Sequence, residues 1–330
     1  MAKINWGIIG CGNVTEVKSG PAFQKIEESS LVAVMRRTAD KARDYARRHG
    51  VPKWTDKADE VINDPDVNAV YIATPPDSHA DYTLKVAQAG KPVYVEKPMA
   101  RNYEECEKMV NACEKAGVPL FVAYYRRCLP SFLKVKGLVE SGAIGDVRFV
   151  TVSLLHTSSE ADGNKEKPPW RVIPEIAGAG YFFDLGSHQL DVLDFLLGPV
   201  KSACGRAVNQ AGLYPAEDAV AGSFIFESGA VGTGLWCFTV PKHLQTDAME
   251  IVGSRGKIVF PAFARAPVRL ITAKGAQDFD LPPPEHVQQP LIRTIVDELL
   301  GRGKCPSTGV SGARTSYVMD QIISDWKNKK

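Results

Sequence analysis

Five short apolar runs punctuate the first 124 residues: Ile4–Ile9, Leu31–Met35, Ala69–Ile72, Pro92–Val95 and Leu120–Ala123. Each is apolar at successive positions rather than alternate ones, so a strand built from it must be covered on both faces. Helical patterns fill the gaps. Ala39–His49 stops at Gly50, Ser78–Gln88 stops near Gly90, and Tyr103–Lys115 follows Asn102 as a cap. Cys106, Met109, Val110 and Cys113 share one stripe of the last helix, which makes both cysteines core residues. Alternation of this kind predicts a parallel, doubly wound sheet with helices on both sides.

After about residue 124 the rhythm changes. A helix over Ser131–Glu140 leads into a long strand pattern, Val147–His156. Further strands are expected at Ala219–Glu227, Ala230–Phe238, Ala248–Val252 and Lys257–Phe260. Glu227-Ser228-Gly229 and Ser254-Arg255-Gly256 read as tight turns, and strands joined so closely run antiparallel. A chain of 330 residues suits two domains. The expected division is an α/β nucleotide-binding domain over 1–124 and an α+β domain with an open, mostly antiparallel sheet over 125–330. Thr157–Pro169 is polar and ends in two prolines, a loop that reads either as a surface connection or as a lid.

Lys plus Arg is 40 and Asp plus Glu is 38, a net charge of +2 without the basic footprint of a nucleic-acid binder. No apolar run approaches the roughly 20 residues of a membrane span. The seven cysteines form no CxxC pair, which points to reduced thiols. Met1-Ala2-Lys3-Ile4 leads directly into the first strand pattern, so a cytoplasmic setting is expected. HExxH, zinc-ligand spacing and a P-loop are all missing, and a metal mechanism is not expected.

Gly7-Ile8-Ile9-Gly10-Cys11-Gly12-Asn13-Val14-Thr15 follows the first strand and opens a helix. In that setting Gly10 permits a tight turn and Gly12 lets a pyrophosphate approach the backbone at Asn13 and Val14. Thr15 stands where the fingerprint has a third glycine or alanine. The second strand ends in Arg36-Arg37 instead of the acid that holds a ribose 2′-hydroxyl. Two guanidiniums suit a 2′-phosphate, so NADP is expected ahead of NAD.

Ile72-Ala73-Thr74-Pro75-Pro76-Asp77-Ser78-His79 follows the third run, and Val95-Glu96-Lys97-Pro98 the fourth. Farther on come Pro169-Trp170-Arg171 and Gly178-Ala179-Gly180-Tyr181-Phe182-Phe183-Asp184-Leu185-Gly186-Ser187-His188. With the glycine turn, this order resembles the glucose–fructose oxidoreductase / inositol dehydrogenase (Gfo/Idh/MocA) family over nearly the whole chain. The resemblance implies a Rossmann domain followed by an α/β domain whose open sheet mediates homodimers or homotetramers. It implies cofactor contacts at Thr74, Pro75, His79, Glu96, Lys97, Trp170 and Arg171. Tyr125, Arg127 and Tyr181 become substrate contacts, although for Tyr181 packing is an equal alternative. Many relatives have Asn or His at Tyr125 and Phe at Cys128, so this pocket wall is altered.

Lys97 lies just past a strand's carboxyl end, where doubly wound sheets bind ligands, and its ammonium can stabilise an alkoxide-like oxygen. Pro98 admits a cis peptide bond. Asp184 and His188 are four residues apart before Leu190, Leu193 and Leu197, a spacing that puts both on one helix face. A histidine beside a carboxylate is a suitable proton acceptor, but by residue type alone the pair also reads as structural. The resemblance makes Lys97, Asp184 and His188 the catalytic group, with His188 resembling the inositol dehydrogenase branch. His156 and His243 gain no role. The function expected is NADP-dependent hydride transfer at a CH–OH or C=O group of a sugar, cyclitol or polyol. The alternatives are an NAD-dependent glycosidase of the same fold and a non-catalytic nucleotide-binding sensor.

Overall fold

The computed structural model describes residues 3–327. The first two positions of the expected 1–124 domain and the last three of 125–330 lie outside the described residues. The chain forms two compact units, and each contains more than one stretch of sequence.

The first unit takes in the chain up to Ala100, Glu104–Cys128 and Pro284–Ala313. Its strands are β1 (Ile4–Ile9), β2 (Ser29–Met35), β3 (Lys53–Thr55), β4 (Ala69–Ile72), β5 (Val93–Val95) and β6 (Leu120–Val122). They form a parallel sheet in the order β3-β2-β1-β4-β5-β6. The order reverses between β1 and β4, the crevice at which such sheets take ligands. β4, β5 and β6 are buried at every position, which explains their unbroken apolar runs. β3 escapes a sequence reading because it is a short edge strand with Lys53 and Trp54 exposed. Trp6, Phe23, Tyr71 and Tyr94 fill the interior, with Trp6 and Phe23 4.9 Å apart and Tyr71 stacked on Tyr94 at 4.6 Å.

The expected boundary at 124/125 assigns everything downstream to one domain, and the fold departs from that. Residues 284–313 return to the first unit. The helix Gln289–Leu299 buries Leu291, Ile292, Ile295 and Val296 there completely. Ser307 then lies along β6, giving its hydroxyl to the Val122 carbonyl at 2.7 Å and accepting the Val122 N–H at 3.2 Å. A helical stripe predicts burial, but it does not name the surface that covers it.

The second unit consists of Arg101–Tyr103, Leu129–Pro283 and the chain from Arg314 onward. Its strands are β7 (Val147–Leu155), β8 (Val200–Val208), β9 (Ala219–Phe226), β10 (Val231–Cys237), β11 (Thr246–Gly253), β12 (Gly256–Phe260), β13 (Val268–Thr272) and β14 (Gly275–Phe279). They form one sheet, β14-β13-β12-β11-β7-β10-β9-β8, antiparallel except where β7 meets β10. The turns at 227–229 and 254–256 join the antiparallel pairs they were expected to join. β8 and β14 carry mostly polar or small residues at their many exposed positions, and β13 is a short run of five residues broken by the exposed Arg269, so none of the three leaves a clear strand pattern.

In the first unit the short helix Asn13–Val17 is tied to the helix Ala39–His49 through Glu16. Arg48 donates to both Glu16 oxygens at 2.7 and 2.8 Å, and His49 Nε2 lies 2.8 Å from one of them. The Arg48 hydrogen bond, followed by that of His49, holds the Glu16 carboxyl down to about 2 from an ordinary 4.5. A depressed carboxylate contributes its stability in full above pH 4.5 and loses it as the pH falls toward 2. Glu16→Gln should therefore cost on the order of 1 kcal/mol at pH 7. Urea unfolding should also show a shallower loss of stability with acid over that interval than the unmodified protein gives.

Candidate active site

In the first unit the chain leaves β1 through a turn fixed to the end of β2. The N–H groups of Gly10 and Cys11 both donate to the Met35 carbonyl at 2.9 Å. Gly10 has φ +96°, and a Cβ there would lie 2.8 Å from Thr74 Cγ2 and 3.0 Å from the Ala73 carbonyl. Only glycine fits such a position. At Gly12 a Cβ would meet nothing nearer than the Gly10 oxygen at 3.8 Å, so this stretch of backbone faces open space. Asn13 is exposed and Val14 half-buried at the start of the helix that follows. Thr15 is fully buried without harm, because its hydroxyl turns back to the Gly12 carbonyl at 2.8 Å. The close approach expected of a third glycine occurs at Gly20, where a Cβ would stand 2.2 Å from both the Thr15 oxygen and the Tyr45 hydroxyl.

Arg36 and Arg37 follow β2, the first half-buried and the second exposed. Among the described residues neither guanidinium has an acidic partner, whereas Arg43, Arg47 and Arg48 on the next helix are paired with Asp40, Asp44 and Glu16. Burial pushes the Cys11 thiol up to about 11 against the opposing charge of Arg36, which therefore acts on the glycine turn. An open glycine backbone beside two uncompensated guanidiniums fits a phosphate-bearing dinucleotide.

The ends of β4 and β5 complete this unit's ligand edge. Thr74 and Pro75 are half-buried, and Ser78 gives its hydroxyl to Thr74 Oγ1 at 2.8 Å. His79, expected to touch a cofactor, lies inside. Its Nε2 is 2.8 Å from the Thr74 carbonyl, and its Nδ1 is 3.1 and 3.2 Å from the carbonyls of Pro98 and Met99. It staples the two motif loops together, and burial lowers its pKa. Glu96 also points inward: Oε1 accepts the Tyr71 hydroxyl at 2.6 Å and the Gln288 amide at 2.7 Å, and Oε2 accepts the Lys97 N–H at 3.0 Å. Lys97 is half-buried, and its bond to Pro98 is cis.

Tyr125 and Arg127, expected at a substrate, are buried in the first unit. Arg127 donates to the Pro306 carbonyl at 3.0 Å, and the Arg126 guanidinium lies 5.0 Å over the Tyr125 ring. The partner of Arg127 is 179 residues away in sequence, which no local pattern reveals.

In the second unit Asp184 lies in a π-helical turn, Phe182–Gly186, and His188 in the α-helix Ser187–Leu197 that continues it. Turns of this kind are rare and concentrate at functional sites. Arg171 donates from Nε to Asp184 Oδ2 at 2.9 Å while its guanidinium stacks 4.4 Å over Trp170. His188 is 3% exposed and meets the edge of Phe263 at 5.8 Å.

Tyr181 packs against Tyr214 and Phe238 and gives its hydroxyl to Asp162 at 2.6 Å. Burial and that hydrogen bond push the phenol's pKa up. Asp162 is a residue the sequence reading passed over. It is buried within Thr157–Pro169 and closes a capping box with Ser159 over the turn Glu160–Gly163. The spacing Ser159-Glu160-Ala161-Asp162 carried that signal. This segment is therefore anchored by a buried carboxylate.

The family model described as an oxidoreductase family with an NAD-binding Rossmann fold matches residues 4–124, and the GFO/IDH/MocA C-terminal domain matches 132–259. Oxidoreductase P35 of Formosa agariphila is 41% identical over 323 residues, 97% of this chain and 98% of its own. The chain belongs to the Gfo/Idh/MocA family. It is an NAD(P)-dependent oxidoreductase built from a Rossmann sheet and a mixed, mainly antiparallel second sheet. Also similar is 1,5-anhydro-D-fructose reductase of Ensifer adhaerens, 28% identical over 93% of this chain and 91% of its own. The aldose-aldose oxidoreductase of Caulobacter crescentus, solved with glycerol, matches with a TM-score of 0.86 at 25% identity, over 99% of this chain and 98% of that one. Among the described residues of this family member no helix is long and apolar enough to cross a membrane. No group of three or more His, Cys, Asp or Glu side chains among them could hold a metal ion.

Tyr181→Phe removes one hydrogen bond to a charged group, worth roughly 1.5–3 kcal/mol. Amide exchange across 157–169 should then accelerate about tenfold or more, with β9 and β10 unchanged. Equal exchange rates in both proteins would mean that the segment is held without this bond.

Proposed function

We propose that the chain is an NADP-preferring dehydrogenase or reductase acting on a CH–OH or C=O carbon of a sugar, cyclitol or related polyol. The observation that carries the cofactor preference is the pair Arg36 and Arg37, free of acidic partners among the described residues. They occupy the strand end where an NAD site has its ribose-binding carboxylate. NAD is a weaker ligand of the same turn. The substrate class is supported by relatives described as a 1,5-anhydro-D-fructose reductase and an aldose-aldose oxidoreductase.

Gly12, Asn13 and Val14 would hold the pyrophosphate through backbone N–H groups beside the turn that Gly10 makes, and Arg36 and Arg37 the 2′-phosphate. Thr74, Pro75 and Lys97 would face the rest of the cofactor. Bound nicotinamide supplies the hydride acceptor in oxidation and the donor in reduction. Lys97 donates from Nζ to the substrate's hydroxyl oxygen and stabilises the negative charge that gathers on it. His188 accepts the hydroxyl proton at a ring nitrogen, and its burial keeps that proton from bulk water. The negative charge of Asp184, whose Oδ2 is held by Arg171 Nε, favours the protonated ring. In reduction His188 returns the proton.

Assembly of copies through the second sheet is part of the same reading. Phe149, Val231 and Ile225 lie side by side across β7, β10 and β9, each about half exposed, with Leu235 farther along β10. An outward apolar strip on an open sheet supports pairing with a second copy.

NADPH absorbance, followed in both directions with a panel of sugars, cyclitols and their keto forms, tests the reaction. Changing Arg36 and Arg37 together to Ala should weaken NADPH about tenfold or more while leaving NADH nearly unaffected. Equal affinity of the unmodified protein for the two cofactors would overturn the preference. His188→Ala, folded and saturated with NADPH, should lose roughly 10²–10⁴-fold in turnover. Unchanged turnover would remove His188 from the chemistry.

A further inference from the structure

Glu96 sits at the end of β5, 6% exposed, immediately before the lysine assigned above to catalysis. A buried carboxylate is tolerated only when donors surround it, and three do. Tyr71 and Gln288 donate to Oε1, and the Lys97 backbone N–H donates to Oε2. The carboxylate therefore fixes the backbone from which Lys97 projects. Gln288 is fully buried and comes from the returning segment, 192 residues farther along the chain. Its amide is matched on both sides: Nε2 donates to Glu96, and Oε1 accepts the Tyr94 hydroxyl at 2.8 Å. The reverse orientation would set the amide oxygen against the Glu96 carboxylate, two acceptors 2.7 Å apart. Gln288 is held in turn by its own N–H, which donates to the Lys18 carbonyl at 3.2 Å, and by His286, whose Nδ1 lies 2.7 Å from the Val17 carbonyl.

We propose that Gln288 is a positioning residue for Lys97, acting through Glu96. It touches no reacting group. It converts the tyrosine hydroxyl on one side into a donor for the carboxylate on the other and so keeps Oε2 aimed at the Lys97 N–H. The inference rests on the reading of Lys97 as the residue that steadies the substrate oxygen.

Gln288→Leu keeps the volume and removes both halves of the amide. Single-turnover hydride transfer, with the best substrate of the panel and saturating NADPH, should fall about tenfold or more, because small misplacements of catalytic groups carry costs of that order. The NADPH dissociation constant, read by cofactor fluorescence, should change less than about threefold, since the substitution keeps the Gln288 backbone N–H on the Lys18 carbonyl and alters none of the groups assigned to the cofactor's phosphates. Independently of activity, the amide of Lys97 should exchange faster in the peptide spanning residues 93–100, with β1 and β4 as protected as before. In the Glu96→Gln background the Leu substitution should cost much less than it does alone, because its effect passes through the carboxylate. Should Gln288→Leu fail to fold, Tyr94→Phe removes the hydroxyl that orients the amide and should give the same pattern at smaller size.

Lys97→Met is measured in parallel. If it transfers hydride at the unmodified rate, the catalytic reading of the lysine falls and this inference with it. If Lys97→Met is impaired but Gln288→Leu and Tyr94→Phe match the unmodified protein in rate and in Lys97 exchange, the positioning role alone is overturned. Fully additive losses in the Glu96→Gln background also overturn it.

Discussion

A carboxylate closed off from water at the end of a buried strand constrains everything near it, and Glu96 is such a group. Its donors have to come from side chains already inside the sheet or from chain brought in for the purpose. Tyr71 and Tyr94 are neighbours on β4 and β5, stacked at 4.6 Å, and they supply one direct donor and one relay. The remaining donor arrives with residues 284–313, whose apolar helix stripe fills the same unit. The motif Val95–Pro98 is in this sense the visible end of an assembly that extends to Gln288 and, through His79, to the loop after β4.

In the second unit two tethers join one short stretch to another. Asp162 accepts from Tyr181, and Arg171 donates to Asp184. The segment 162–171 is thus fastened at one end to Tyr181 and at the other to Asp184, just before and in the π-helical turn that leads into the helix of His188. Movement of that segment and the charge felt by Asp184 are not independent, because Arg171 belongs to one and bonds to the other.

The sequence reveals this fold most clearly where burial is complete. β4, β5 and β6 leave apolar runs with no polar interruption, β1 has only Asn5 within its run, and Gly10 marks a left-handed backbone that suits glycine. The edge strands β3 and β14 present mostly polar or small residues to solvent and leave no such trace. At the site, residue type shows that His79, Glu96 and Arg127 can form strong hydrogen bonds but not in which direction. Each turns inward because an acceptor or donor distant in sequence lies there. Asp184 and His188 are legible as candidate site residues from their four-residue spacing. The π-helical turn under Asp184 is not, since its residues would suit an ordinary helix equally well.

The return of residues 284–313 also bears on how the polypeptide is made. Elongation at about 5–20 residues per second puts roughly 10–30 s between the emergence of Cys128 and that of the returning helix. Throughout that interval the nascent Rossmann sheet has its glycine turn and its strands but neither the helix Gln289–Leu299 nor the amide that Glu96 requires. The stretch up to Cys128 therefore waits on the ribosome as an incomplete core, with apolar surface beside β6 uncovered and a carboxylate short of one donor. Its last folding step waits for residues 284–313, so chaperone dependence should concentrate in the interval before they emerge rather than end once Cys128 has been made.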